Sequence, residues 1–251
     1  TPRPIPVLRE IIKDPSTVVT RGSTMDNASN LPPAFMKAVV EKYEGTRLGR
    51  QELNAEMLDD VPGALWTREM FDALRVKADP LGGVFHNGAF VRLKRVVIAV
   101  DPSGTTGNGE GDDIGIIAAG LGEDGRGYVL GDHTCQLSPE GWARRVAEVY
   151  ALHEADRVVA ERNFGGAMVE AVLRAAAPAL PVKVVTASRG KIARAEPIAA
   201  LYEQGRVSHV GAFAALEDQC CSMTPSGFVG EGSPDRADAL VWALSELALG
   251  S

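Results

Sequence analysis

Cysteine is scarce in this chain. The three present, Cys135, Cys220 and Cys221, form no paired framework and lack the spacing of a zinc site. They read as buried thiols in a reducing compartment. Long apolar runs are missing too: nothing approaches the roughly 20 residues of a membrane span, and no secretory leader is visible. Basic charge is in deficit, with 26 Lys and Arg against 33 Asp and Glu and a net charge of −7. The chain as a whole therefore lacks the basic excess common in nucleic-acid binders, although a local basic stripe can act inside an acidic molecule. There is no internal repeat or low-complexity tract. The chain also lacks an initiator methionine: it opens "TPRPIPVLREII", which reads as the middle of a longer polypeptide. With 251 residues, 45% hydrophobic and 24% charged, it holds one large domain, or one domain plus a fragment.

The rhythm of the sequence changes near residue 94. Before it, "PVLREII" predicts a short helix and "TVVTRG" a short strand. "LPPAFMKAVVEKYEG" predicts an amphipathic helix, and "RLGRQELNAEML" and "TREMFDALRV" continue the helical pattern. "ADPLGGVFHNGAF" reads as a loop or hairpin. From Arg95 onward, "RVVIAVD", "IGIIAAGL" and "GYVLGDHTCQ" predict three strands able to pair as a meander, the last two joined by the turn "GEDGRG". A helix capped by Ser138 follows, then the strand "RVVAERN", a helix, and the strand "PVKVVTAS". "KIARAEPIAALYEQGRV" is helical and begins or kinks at Pro197. "AFAALEDQCCSM" is a helix, "TPSGFVGEGS" a loop, and "PDRADALVWALSELALG" the last helix. Strands that follow helices need parallel crossovers, so the expected architecture is α/β, a mixed sheet with helices on its faces.

Three acids stand where such a fold exposes chemistry. Asp101 ends the first strand of this region, Glu161 ends the fourth, and Asp238 lies in the last helix with Asp235 three residues earlier on the same face. Ala239, Leu240, Trp242, Ala243 and Leu247 mark the face of that helix packed on the sheet. Converging carboxylates repel one another unless a cation sits between them. Hard divalent ions want oxygen ligands, and a pair of them suits in-line displacement at phosphorus. Each acid alone has a simpler reading. Asp101 before Pro102 suits a turn, Glu161 suits an ion pair with Arg157 or Arg162, and Asp235 suits the positive end of a helix dipole.

Taken in order, "VIAVDPSGTTGNGEGDDIGIIAAG", "VVAERNFGG", "KIARAEPIAALYEQGRV" and "SPDRADALVWAL" resemble the C-terminal nuclease domain of the large terminase subunit of tailed bacteriophages. The resemblance covers about 95 to 250. It implies a ribonuclease H-like nuclease domain over 95–251, preceded over 1–94 by a smaller, mainly helical end of the packaging ATPase domain plus linker. It implies an endonuclease that cuts concatemeric double-stranded viral DNA with two ions of Mg²⁺ or Mn²⁺. The catalytic metal ligands would be Asp101, Glu161 and Asp238. Asp235 would be a fourth, and Asp113 (or its neighbour Asp112) would hold a further metal or a water. Lys191, Arg194 and Arg189 would contact DNA, with Arg206 and Arg236 as further candidates. The implied partners are the portal protein and the small terminase subunit. The implied location is the host cytoplasm, transiently docked on the procapsid. The family's ATPase needs a Gly-rich loop ending in Gly-Lys-Ser/Thr; none occurs here, so ATP hydrolysis is not expected of this chain.

Three other readings stay open. "VDPSGTTG" is similar to the first phosphate loop of the actin and Hsp70 ATPases, which would make this a nucleotide-binding domain. A Holliday-junction-type resolvase shares the implied chemistry and fold. A non-catalytic docking module would use the acids structurally. His133 and His209 have no acid or cysteine at ligand spacing and receive no role.

Overall fold

In a computed structural model, the structure describes residues 6–37, 53–55, 61–79, 82–102, 113–162, 166–230 and 232–249. It divides into two compact units, Thr1–Val61 and Pro62–Ser251. In the first, α1 (Pro6–Lys13) forms as its pattern predicts, followed by a 3-10 turn at Met25–Asn30. Helix is also present at 33–37; the rest of the helix expected over 31–45 lies outside the described residues. So does most of "RLGRQELNAEML", whose described residues 53–55 are not helical. The strand expected over "TVVTRG" does not form. Val18 and Val19 are 87% and 45% exposed, so their β-branched side chains find no surface to pack on.

The second unit begins well ahead of the change in rhythm near residue 94. Trp66 and Phe71, the latter on α2 (Arg68–Ala73), are fully buried against Tyr202 with ring centroids 6.2 and 5.4 Å away. Just beyond α2, Arg75 donates to both carboxylate oxygens of Glu217 at 2.8 and 3.1 Å. Glu217 in turn meets His209 Nδ1 at 2.9 Å, and His209 Nε2 meets the Tyr202 hydroxyl at 2.8 Å. Burial opposes the charge on Glu217, but the bonds from His209 and Arg75 win and hold its carboxyl at about 2. Burial keeps His209 neutral, so Nδ1–H donates to Glu217 and Nε2 accepts from Tyr202. This network gives His209 a structural role and ties residues 62–76 to the sheet.

The segment "ADPLGGVFHNGAF" forms a small antiparallel sheet of β1 (Lys77–Asp79), β2 (Gly83–His86) and β3 (Ala89–Val91). The main sheet follows. Its strands are β4 (Leu93–Pro102), β5 (Ile114–Gly122), β6 (Gly127–Asp132), β7 (Arg157–Glu161), β8 (Val182–Val185) and β9 (Val207–His209), in the order β8-β7-β4-β5-β6-β9. The meander β4-β5-β6 is antiparallel, while β7, β8 and β9 join in parallel. Helices α3 (Pro139–Leu152) and α4 (Gly166–Ala176) provide the crossovers to β7 and β8; Ser138 caps α3 by accepting from the Gly141 amide at 3.3 Å. Helix α5 (Lys191–Glu203) runs continuously through Pro197 rather than starting there. It is followed by β9, a strand the sequence reading misses, and by α6 (Ala214–Cys220). The expected loop after α6 contains a short hairpin, β10 (Met223–Thr224) with β11 (Gly227–Phe228). The last helix, α7 (Asp235–Leu244), ends in a π turn over Ser245–Leu249.

Period-two alternation splits the core across the sheet. Ile98, Val100, Ile116 and Ala118 pack with Trp142, Val146 and Leu173. Val97, Ala99, Ile117 and Ala119 pack on the other face with Ile198, Leu240 and Leu244. Asp101 continues the second series, so it emerges on the face covered by α7.

Candidate active site

The pairing register sets the site. β4 runs antiparallel to β5 as far as Pro102 opposite Ile114, with Asp101 opposite Gly115. β4 and β7 are parallel with Val100 level with Ala160, which brings Asp101 and Glu161 to the same end of adjacent strands. Helix α7 lies over this end. Its approach depends on Gly115: a Cβ there would stand 2.1 Å from the Asp235 carbonyl oxygen and 2.6 Å from its carbonyl carbon. The first turn of α7 is capped by Gln219 of α6, whose Oε1 accepts from the amides of Arg236 at 2.9 Å and Ala237 at 3.2 Å. The helix thus presents Asp235 and Asp238 to the strand ends.

The four carboxylates are buried, with Asp101 3%, Glu161 6%, Asp235 3% and Asp238 1% exposed. Burial pushes the Asp101 carboxyl up to about 8, reinforced by the charges of Asp238, Glu161 and Asp235 and opposed by Lys191. Burial also raises Asp238, against a hydrogen bond and charge from Lys191. Both cations at this site come from the first turn of α5. Lys191 forms an ion pair with Asp238 Oδ2. Burial alone would lower the Lys191 ammonium, but its contact with Asp238 outweighs that and raises it. The Arg194 guanidinium lies 3.7 Å from Glu161 Oε2 and 3.8 Å from Asp238 Oδ1, and its carbon sits 4.5 Å from the centre of the Trp242 ring. Trp242 Nε1–H donates to Glu161 Oε2 at 2.7 Å. Among the described residues, Asp238 Oδ1 and two Arg194 nitrogens, Nε and Nη1, are buried without a hydrogen bond.

The sequence reading places Lys191 and Arg194 against DNA; in the structure both face the acids. Arg189 is exposed in the loop ahead of α5. Arg206 precedes β9 at the opposite end of the sheet, where its carbonyl accepts from the Gly127 amide at 2.9 Å. Arg236 is engaged by carboxylates: it forms an ion pair with Asp113 and donates from Nε to Asp132 at 3.1 Å. The Asp113 carboxylate is therefore taken up by Arg236. Asp112 and the loop "SGTTGNG" lie outside the described residues. Trp242, read from the pattern as a packing residue, is only half-buried and spends its polar edge on Glu161. Its position four residues after Asp238, on the same helix face, is the signal that could have found it.

Among the described residues, no three His, Cys, Asp or Glu side chains already sit close enough to hold an ion. The donor chemistry nonetheless fits a hard divalent cation. All four candidates are carboxylates, one oxygen of Asp238 has no hydrogen bond among the described residues, and burial and the neighbouring acids hold the Asp101 carboxyl well above the usual carboxylate range. Lys191 and Arg194 supply part of that charge in the arrangement seen.

Comparison with known proteins follows the same lines. Residues 98–247, more than half of the chain, match the family model described as the terminase RNaseH-like domain. A search of the curated proteins finds no match. Among solved structures, the large terminase nuclease from thermophilic phage G20c with bound cobalt aligns at a TM-score of 0.52 and 14% identity. The alignment covers 74% of this chain and 98% of that one. The human cytomegalovirus terminase nuclease domain, manganese-soaked with inhibitor bound, aligns at 0.51 and 18%, covering 73% and 95%. The HK97 bacteriophage large terminase aligns at 0.50 and 13%, covering 86% of this chain, which spans about half of that larger protein. These likenesses carry the fold, a ribonuclease H-like mixed sheet of six strands flanked by helices. By its family match, its sheet order and its carboxylate-bearing strand ends, the chain belongs to the terminase RNaseH-like domain family.

Proposed function

We propose that the chain is a metal-dependent endonuclease that hydrolyses phosphodiesters of double-stranded DNA, cutting concatemeric viral DNA during genome packaging. The observation that carries this reading is the gathering of buried acids from β4, β7 and α7 around Asp101, met by Lys191, Arg194 and the Trp242 N–H. So dense a set of acids is costly without bound positive charge. The similar structures, nucleases with cobalt bound or soaked with manganese, support a divalent ion here.

Asp101, Glu161, Asp238 and Asp235 would hold two ions of Mg²⁺ or Mn²⁺. Such ions would supply activation of the attacking water and stabilisation of the departing 3′-oxygen. The chain's own groups do the rest. Trp242 holds one oxygen of Glu161, and Gly115 lets α7 carry Asp238 and Asp235 to the strand ends. Lys191, 47% exposed, can swing from Asp238 toward a phosphate, and Arg194 stays under cover beside Trp242 as a fixed positive charge. Arg189 contacts the DNA backbone from the α5 loop, so selectivity for sequence is low. Asp113 is assigned to fixing Arg236. Residues 1–94 are read as the end of a packaging ATPase domain with its linker. The portal protein, the small terminase subunit and transient docking on the procapsid in the host cytoplasm belong to the full protein.

The test is incubation of supercoiled plasmid with this chain and Mn²⁺ or Mg²⁺. Nicked and linear products that EDTA suppresses support the reading. Intact plasmid under both ions together with nucleotide binding would favour the phosphate-loop alternative instead.

A further inference from the structure

Trp242 joins three elements at the site. It stands on α7 one turn beyond Asp238, its indole N–H donates to Glu161 Oε2 of β7 at 2.7 Å, and its ring carries the Arg194 guanidinium of α5 at 4.5 Å. The rest of α7 is conventional packing: Ala239, Leu240, Ala243 and Leu244 are buried in the core. Trp242 alone in that stretch is half-exposed. Its one polar atom is spent on a 6%-exposed carboxylate at the strand end rather than on solvent. The indole N–H is a donor only and holds Glu161 Oε2; among the described residues no side chain hydrogen-bonds Oε1, the oxygen the proposal assigns to a cation. The ring face does a second task. Among the described residues Arg194 Nε and Nη1 make no hydrogen bond, and the guanidinium stacks over the indole with two carboxylates nearby.

We propose that Trp242 is a positioning residue that orients the Glu161 carboxylate for a divalent cation and seats Arg194 beside it. The proposal rests on the reading of Glu161 as a metal ligand. Partners that orient a ligating group change metal affinity by about 10- to 100-fold when removed. Trp242→Phe keeps a ring for Arg194 and deletes the N–H, so it isolates the effect on Glu161.

The experiment is Mn²⁺ binding to the 251-residue chain, followed by the electron paramagnetic resonance signal of free Mn²⁺. Wild type, Trp242→Phe, Glu161→Gln and the double variant are compared. The proposal predicts a folded Trp242→Phe chain with a lower thermal midpoint in EDTA, because Glu161 Oε2 loses its donor, weaker Mn²⁺ binding by about tenfold, and no further loss in the double variant relative to Glu161→Gln. Equal binding by wild type and Trp242→Phe overturns it, as does an equal loss in both backgrounds. Wild-type chain that binds no Mn²⁺, by contrast, sinks the metal-ligand reading of Glu161 itself. A substitution-free readout stands beside this. In an amide and indole proton–nitrogen spectrum titrated with Mg²⁺, the Trp242 Nε1–H resonance should move in the wild type and stay still in Glu161→Gln. A resonance that ignores Mg²⁺ in the wild type contradicts the proposal even if Trp242→Phe does not fold.

Discussion

The ammonium of Lys191 rests on the carboxylate of Asp238, a half-exposed cation on an acid that is 1% exposed. Lys191 holds the carboxylate that the proposed function gives to a metal ion, so that proposal makes the two compete for Asp238. Lys191→Gln should destabilise the EDTA-treated protein by about 1–2 kcal/mol, because Asp238 is then buried with less compensation. The same variant should gain more thermal stability from saturating Mn²⁺ than the wild type does. Differential scanning calorimetry with and without Mn²⁺ checks this; an equal gain in both proteins would remove the competition.

Asp101 makes the metal-free fold sensitive to alkali. Its folded carboxyl is pushed up to about 8 from 3.8, chiefly by burial, so between those values the folded state holds a proton the unfolded chain has lost. Stability therefore falls as pH rises through that window and levels off above it. All four histidines are lowered from 6.5, which gives the opposite slope, but only below about that pH. From pH 6.5 to 8 the acid site dominates. The metal-free protein should lose about 2 kcal/mol over that interval, and Asp101→Asn should flatten the slope. Chemical denaturation in EDTA at several pH values measures it.

Gly115 admits no side chain. A methyl at this position meets the backbone carbonyl of Asp235, not a flexible side chain that can turn aside. Gly115→Ala should push the start of α7 away from β5, costing about 2–4 kcal/mol and weakening Mn²⁺ binding together with stability. Urea unfolding and metal titration on the same sample test both parts, and a variant as stable as wild type would contradict the contact.

Gln219 caps α7 from a neighbouring helix, since the residue before Asp235 is Pro234 and offers no acceptor side chain. Gln219→Ala should cost about 1 kcal/mol, in the range of a lost helix cap. Hydrogen exchange at the Arg236 and Ala237 amides should rise with it; unchanged protection would assign the cap elsewhere.

The convergence of the acids was legible because each acid closes a regular pattern. Asp101 and Glu161 end apolar strand runs, and Asp238 interrupts a helical stripe beside Asp235. What the pattern could not show depends on partners distant in sequence. β9 has only three residues and exists through its ladder with β6. Residues 62–76 belong to the second unit because Trp66 and Phe71 pack on Tyr202 and Arg75 binds Glu217. Val18 and Val19 have strand propensity but no sheet to join. Arg236 reads as a DNA contact until Asp113 and Asp132 are seen to hold it, and Trp242 reads as core until its N–H is found on Glu161.

On the proposed function, Asp101, Glu161 and Asp238 form one metal-dependent hydrolytic centre. Cleavage of supercoiled plasmid in Mn²⁺ by Asp101→Asn, Glu161→Gln and Asp238→Asn, each checked for its fold, tests it most directly. Wild type should cut, EDTA should stop it, and each folded variant should lose at least about 100-fold in rate, as expected when a group that stabilises the transition state is removed. Folded variants of all three acids that cut at the wild-type rate would contradict it.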